Sequence, residues 1–142
     1  RTLTAEEWDY VLNTRANATM LKGLAQVVGV NGLVLLPDNW DISLNADFVP
    51  GADGRFASNG FDANQLDAEQ WQRMEEAGAV FLPATGTRIG ANIYFFNECC
   101  YYWSATSFNS NYAFYINVSA SESYMTNNGR STGQAVRLVK DL

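Results

Sequence analysis

The sequence predicts an α+β fold in which two helices pack on antiparallel sheets joined by long loops. Three observations predict it. Two helix starts carry the same capping signature, "LTAEEW" at Leu3–Trp8 and "LDAEQW" at Leu66–Trp71. Two short apolar runs end in proline, "GLVLLP" at Gly32–Pro37 and "GAVFLP" at Gly78–Pro83. The last third of the chain alternates apolar and polar residues with the period of a half-buried strand. The 142 residues suit one domain with a sizeable core, spanning residues 1–142.

In the first helix Thr4 precedes Glu7 by three, and in the second Asp67 precedes Gln70 by three. That spacing lets each side chain satisfy a free N–H at the helix start. Trp8, Val11 and Leu12 then share one face, as do Leu66, Trp71 and Met74. Gly78 ends the second helix, where the chain must turn left-handed. The apolar runs read as short buried strands, and Asn39 to Asn64, rich in Asn, Asp, Gly and Ala, reads as a long loop. From Tyr112 to Ala120, Phe114, Ile116 and Val118 face one way and Ala113, Tyr115, Asn117 and Ser119 the other. The terminal Ala135–Val139 reads as a further strand, with Val136 and Leu138 inward and Arg137 outward, paired to a helix carboxylate. Phe95, Trp103, Phe114 and Ile116 are expected in the core.

Composition excludes several functions. The net charge is −6 and lysine and arginine form no cluster, so the electrostatic footprint of a nucleic-acid or anionic-membrane binder is missing. No histidine is present, which removes histidine-based triads and zinc sites. No run approaches the roughly 18 apolar residues of a membrane span. The chain opens on Arg1-Thr2-Leu3 without a leader, as a processed product or a piece of a longer protein would. Cys99 and Cys100 are adjacent, with Cα atoms about 3.8 Å apart, too close for a relaxed disulfide, and are expected as free thiols.

"RTLTAEEWDYVLNTR", "NGLVLLPDNWD", "EEAGAVFLPATGTRIG", "YYWSAT" and "GQAVRLV" occur in order over nearly the whole chain. Together they resemble the paralogous surface domain common in Bacteroidota and named after its abundance in Fibrobacter. The resemblance implies a C-type-lectin-like fold, in the branch that also holds formylglycine-generating enzymes and the variable proteins of diversity-generating retroelements. Members carry strands ahead of the first motif, so it also implies upstream strands or domains. The Glu-Pro-Asn and Trp-Asn-Asp motifs of calcium-dependent sugar binding are absent, and the lectin name licenses a fold, not a sugar.

Between Gly90 and Ser121 the only formal charge is Glu98. A solvent-facing sheet ordinarily carries Lys, Glu and Thr, so this Tyr-, Phe-, Asn- and Ser-rich stretch reads as a binding face. Tyrosine gives rigid contact area, and Ser and Asn give adaptable hydrogen bonds. The candidate ligand-binding residues are Tyr101, Phe108, Asn109, Asn111, Tyr112, Tyr115, Asn117, Ser119, Tyr124, Thr126, Asn127, Asn128, Ser131 and Thr132. In retroelement-diversified relatives an AAY codon becomes any NNY codon; these residues, with Cys99 and Cys100, all belong to the reachable set. Trp103, Met125 and Gln134 do not.

The expected function is therefore a non-enzymatic domain binding a protein or glycan ligand. It would be displayed at a bacterial cell surface or outside the cell, as part of a lipoprotein or a phage particle. A structural adhesin or pilus-tip module with a fixed partner is the alternative. An oxidase like the formylglycine-generating enzymes would need the Cys99-Cys100 pair, whose side chains on a strand point to opposite faces, far in sequence from any cation. Glu6-Glu7 and Glu75-Glu76 read as solvated helix faces and a cap. No cofactor is implied. Asp38, Asp41, Asp47 and Asp53 offer oxygen ligands for a structural calcium that would order the long loop, although their spacing departs from the Asp-x-Asp-x-Asp-Gly pattern.

Overall fold

The computed structural model describes residues 1–51, 60–120 and 123–140. Helix α1 (Ala5–Asp9) starts at the predicted capping box: Glu7 N–H donates to Thr4 Oγ1, and the Glu7 carboxylate accepts from Thr4 N–H. A π-helical turn, Tyr10–Thr14, prolongs it and keeps Trp8 and Leu12 on the buried face. Arg1 clasps Glu7 at 2.6 Å. That pair, followed by the Thr4 N–H, pulls the Glu7 carboxyl down to about 2.

Strands β1 (Lys22–Val27) and β2 (Val30–Leu35) form a hairpin closed by Val28 and Gly29, both with positive φ (49° and 81°), as a two-residue turn requires. The short β3 (Gln65–Leu66) lies parallel to β1, and β4 (Val80–Pro83) lies antiparallel to β2, giving the order β3-β1-β2-β4. Helix α2 (Ala68–Glu76) has the second capping box, and Gly78 turns out of it at φ 98°. Alternate strand residues face opposite sides. Leu24, Leu33, Leu35 and Leu82 meet Trp8 and Leu12 on one side, while Ala25, Val27 and Val34 meet Phe48, Leu66 and Met74 on the other. The long loop contains 3-10 turns at Ile42–Asn45 and Gly60–Ala63. Buried Asn64 pins it, donating to Leu24 O and Val49 O (2.8 Å each) and accepting from Val49 N–H.

A small hairpin follows, β5 (Thr87–Ile89) with β6 (Asn92–Tyr94), and then a meander of β7 (Cys99–Ser107), β8 (Tyr112–Ser119) and β9 (Ser123–Gly129). Cys100, Tyr102, Ile116 and Val118 on the inner face of the meander complete the core around Trp8 and Leu82. The architecture is mixed α+β, with two short α-helices and three sheets among the described residues. No helix among the described residues is long and apolar enough to cross a membrane.

Two expectations are corrected. Ala135–Val139 is not a regular strand: Ala135 bridges to Tyr102, then Leu138 bridges to Thr2, and Val136 and Leu138 are 52% and 73% exposed. The segment crosses from β7 to the N-terminal residues, so no single neighbour continues its ladder. Arg137 takes no part in the ion pairs among the described residues, which are Arg1–Glu7, Arg15–Asp38 and Arg73–Glu69. Of the residues offered for a calcium, Asp38 is held by Arg15 and Asp41 accepts from Ser43 N–H. Asp53 lies outside the described residues, and no group of three or more His, Cys, Asp or Glu side chains able to hold a metal occurs among the described ones.

Candidate binding face

The register of the meander fixes which side chains share its outer face. Tyr101, Asn117 and Tyr124 form one row across β7, β8 and β9, and Trp103, Tyr115 and Thr126 form the next. Cys99 and Ser119 lie to one side, and Ala113 and Asn128 to the other. The rings pack edge to face in a chain: Phe95 on Tyr101 (6.3 Å between centroids), Tyr101 on Tyr115 (5.7 Å) and Tyr115 on Trp103 (5.9 Å). Such contacts fix ring positions before any ligand arrives. Burial, followed by the neighbouring Cys99, pushes the Tyr101 phenol up, and burial with the nearby Tyr124 does the same to Tyr115. A cleft of about 510 Å³ opens beside this face, walled by Asn31, Phe61, Phe95, Asn97, Cys99 and Ser119 among others.

Of the predicted site residues, Tyr101, Tyr115, Asn117, Ser119, Tyr124, Thr126 and Asn128 share this face. Asn117 is buried within it: its amide donates to Tyr124 Oη at 2.7 Å, and its Oδ1 is buried without a hydrogen-bond partner. Cys100, grouped by sequence with the outward residues, is a core residue at 0% exposure. Its thiol donates to Leu82 O, and burial pushes its pKa up to about 12.

A second group sits at the β7–β8 turn. Tyr112 has the parity of Phe114 and Ile116, so it emerges past the end of the core on the side opposite Tyr115 and Tyr124. Phe108 packs edge-on against Phe114 at 5.4 Å, and Asn127, opposite Phe114 in β9, belongs here too. Asn109 is a turn former, its Oδ1 accepting from Asn111 N–H and Tyr112 N–H (2.9 and 3.0 Å). Arg130 locks the same turn by donating to Ser107 Oγ and Asn109 O. Ser131 and Thr132 lie in the turn after β9, closed by Thr132 N–H on Gly129 O.

Phe95 and Trp103, expected in the core, instead extend the outer face; Phe95 is 53% exposed and Trp103 half-buried. Phe114 is only half-buried, whereas Ile116 is fully buried as expected. The strand alternation Cys99-Tyr101-Trp103 against Cys100-Tyr102-Ser104 would have placed Trp103 correctly. Sequence reasoning also missed the exposed apolar side chains of the preceding hairpin, Ile89, Ile93, Tyr94 and Phe96.

Comparison with protein-family models, with curated proteins and with solved structures finds no match to this chain.

Proposed function

We propose that this chain is a non-enzymatic ligand- or receptor-binding domain whose binding face is the outer side of β7, β8 and β9, supplemented by the β7–β8 turn. The observation that carries the reading is the cluster Phe95–Tyr101–Tyr115–Trp103, partly exposed and surrounded by Thr126, Ser119 and Asn128. Interface cores are poor in charge and rich in aromatics, and this face has that composition. The resemblance of the ordered motifs to Bacteroidota surface domains supports a C-type-lectin-like fold and display at a cell surface or on a phage. The cysteines favour a non-enzymatic role, since Cys100 is buried with a raised pKa and Cys99 lies on the opposite side of the strand.

The test is to present fluorescently labelled protein to a glycan array and to a panel of intact bacterial and host cells. Tyr101→Ala, Tyr115→Ala and Tyr124→Ala combined should abolish any signal while the fold persists by circular dichroism. Tyr10→Ala, at an exposed tyrosine of the π-helical turn outside this face, should leave that signal. Retention of binding by the triple variant refutes the placement. Diversification of the face is read separately, by deep sequencing of the gene from a source population. Changes confined to template adenines at the Phe108, Tyr115 and Tyr124 codons support it; a uniform sequence assigns a fixed partner.

A further inference from the structure

The two edges of the β7–β8–β9 sheet are treated differently. The β7 edge is covered: Trp103 N–H donates to Ala135 O, Ala135 N–H to Tyr101 O and Ala105 N–H to Leu3 O, and the strand is irregular between Trp103 and Ser107. The β9 edge has none of this. Its ladder with β8 runs unbroken over seven pairs, from Val118–Ser123 to Tyr112–Gly129, and no described residue pairs with its other side. Ser123–Gly129 contains no charge, no proline and no bulge, the devices by which edge strands avoid pairing. A long, regular, neutral edge is a template for another strand.

We propose that β9 pairs with β9 of a second copy of this chain, antiparallel about a two-fold axis at Thr126. The strand is self-complementary in that register. Thr126 meets Thr126, Met125 meets Asn127, and Tyr124 meets Asn128, all uncharged pairs on matching faces. The Tyr–Asn combination already occurs inside the sheet, where Asn117 donates to Tyr124. The chain carries a net charge of −6, and β9 is a neutral place where two such copies approach without like-charge contact. The product is a six-stranded sheet in which the Trp103–Tyr115–Thr126 row continues into the same row of the second copy. Each ligand face is thereby doubled, with the gain in avidity that follows.

The experiment is light scattering coupled to size exclusion on the whole chain, over a range of loading concentrations reaching high micromolar. Wild type should shift from monomer to dimer mass with concentration. Thr126→Lys and Thr126→Glu place like charges opposite one another at the axis, so each alone should remain monomeric throughout. Their equimolar mixture should return the dimer, because Lys then faces Glu. Dilute samples of all three should show the same circular dichroism and melting, which separates lost pairing from lost folding. A wild type that stays monomeric, variants that dimerise as well as wild type, or a mixture that stays monomeric would each overturn the proposal.

Discussion

Gly86→Ala tests how the aromatic face is held. Gly86 has φ +66°, and its N–H donates to Cys99 O at the start of β7. A Cβ there would lie 2.3 Å from Tyr94 O, 2.7 Å from Phe96 N and 2.9 Å from the Phe95 carbonyl carbon. All three are backbone atoms, so no rotamer change relieves the contact. The left-handed conformation alone costs a non-glycine residue about 1–2 kcal/mol. Forcing the 94–96 backbone aside adds about 1–3 kcal/mol, as overpacking does elsewhere. The sum, about 2–5 kcal/mol, is a large share of the roughly 5–15 kcal/mol that holds a domain folded. Gly90→Ala is the matched control, with φ +62° but nothing within 4 Å of the new Cβ. Urea unfolding followed by tryptophan fluorescence should show Gly86→Ala losing at least about 1 kcal/mol more than Gly90→Ala at similar m-value. Because the displaced segment carries Phe95, near-ultraviolet circular dichroism should change in the first variant and not in the second. Equal losses in the two variants would refute the backbone contact as the cause.

Two other outcomes follow from titration and burial. Glu7 ordinarily titrates near 4.5 and is held at about 2 in the folded chain, so its bond to Arg1 contributes stability fully above pH 4.5 and loses it as pH falls toward 2. Glu7→Gln should therefore lower the urea midpoint at neutral pH and converge on wild type in acid; parallel curves across that window would contradict it. Cys99 is half-buried on the outer face and Cys100 is fully buried with a thiol near 12, so native labelling by a thiol reagent should stop at one cysteine, with the second reacting only in denaturant.

What the sequence made legible was local. The capping boxes need only a donor and an acceptor three residues apart, and both formed. Ile116 and Val118 turned inward because alternation is a property of the strand itself. The misses are tertiary. Lys22 is fully buried at the start of β1, a strand the sequence did not announce; its ammonium donates to Leu12 O at 2.5 Å within the π-helical turn. That desolvation, helped by nearby Arg15, lowers its pKa. No local pattern records such a partner. Tyr101 and Tyr102 are chemically identical neighbours with opposite fates, decided only once Cys100 enters the core and Tyr102 reaches Pro83 O. Val136 and Leu138 carry a strand pattern but lack one continuous neighbour, and a pattern without a partner does not make a ladder. Tyr112 and Tyr115 both belong to the uncharged stretch that reads as a binding face, but their odd separation puts them on opposite sides of β8.

The charge distribution constrains how the face can work. Most of the described acids lie on α1, α2 and the long loop, and Glu98 precedes β7 in the lining of the adjoining cleft, while β7, β8 and β9 carry none. A face without charge adds no steering of its own, and the −6 around it repels anionic partners. Affinity must then come from contact, from ring area removed from water and hydrogen bonds to Tyr, Thr, Ser and Asn. That work favours rings already fixed, since each side chain frozen on binding costs about 0.5–1.5 kcal/mol. The edge-to-face chain from Phe95 to Trp103 meets that cost during folding. Asn117 serves the same end, its buried amide holding the Tyr124 hydroxyl in place.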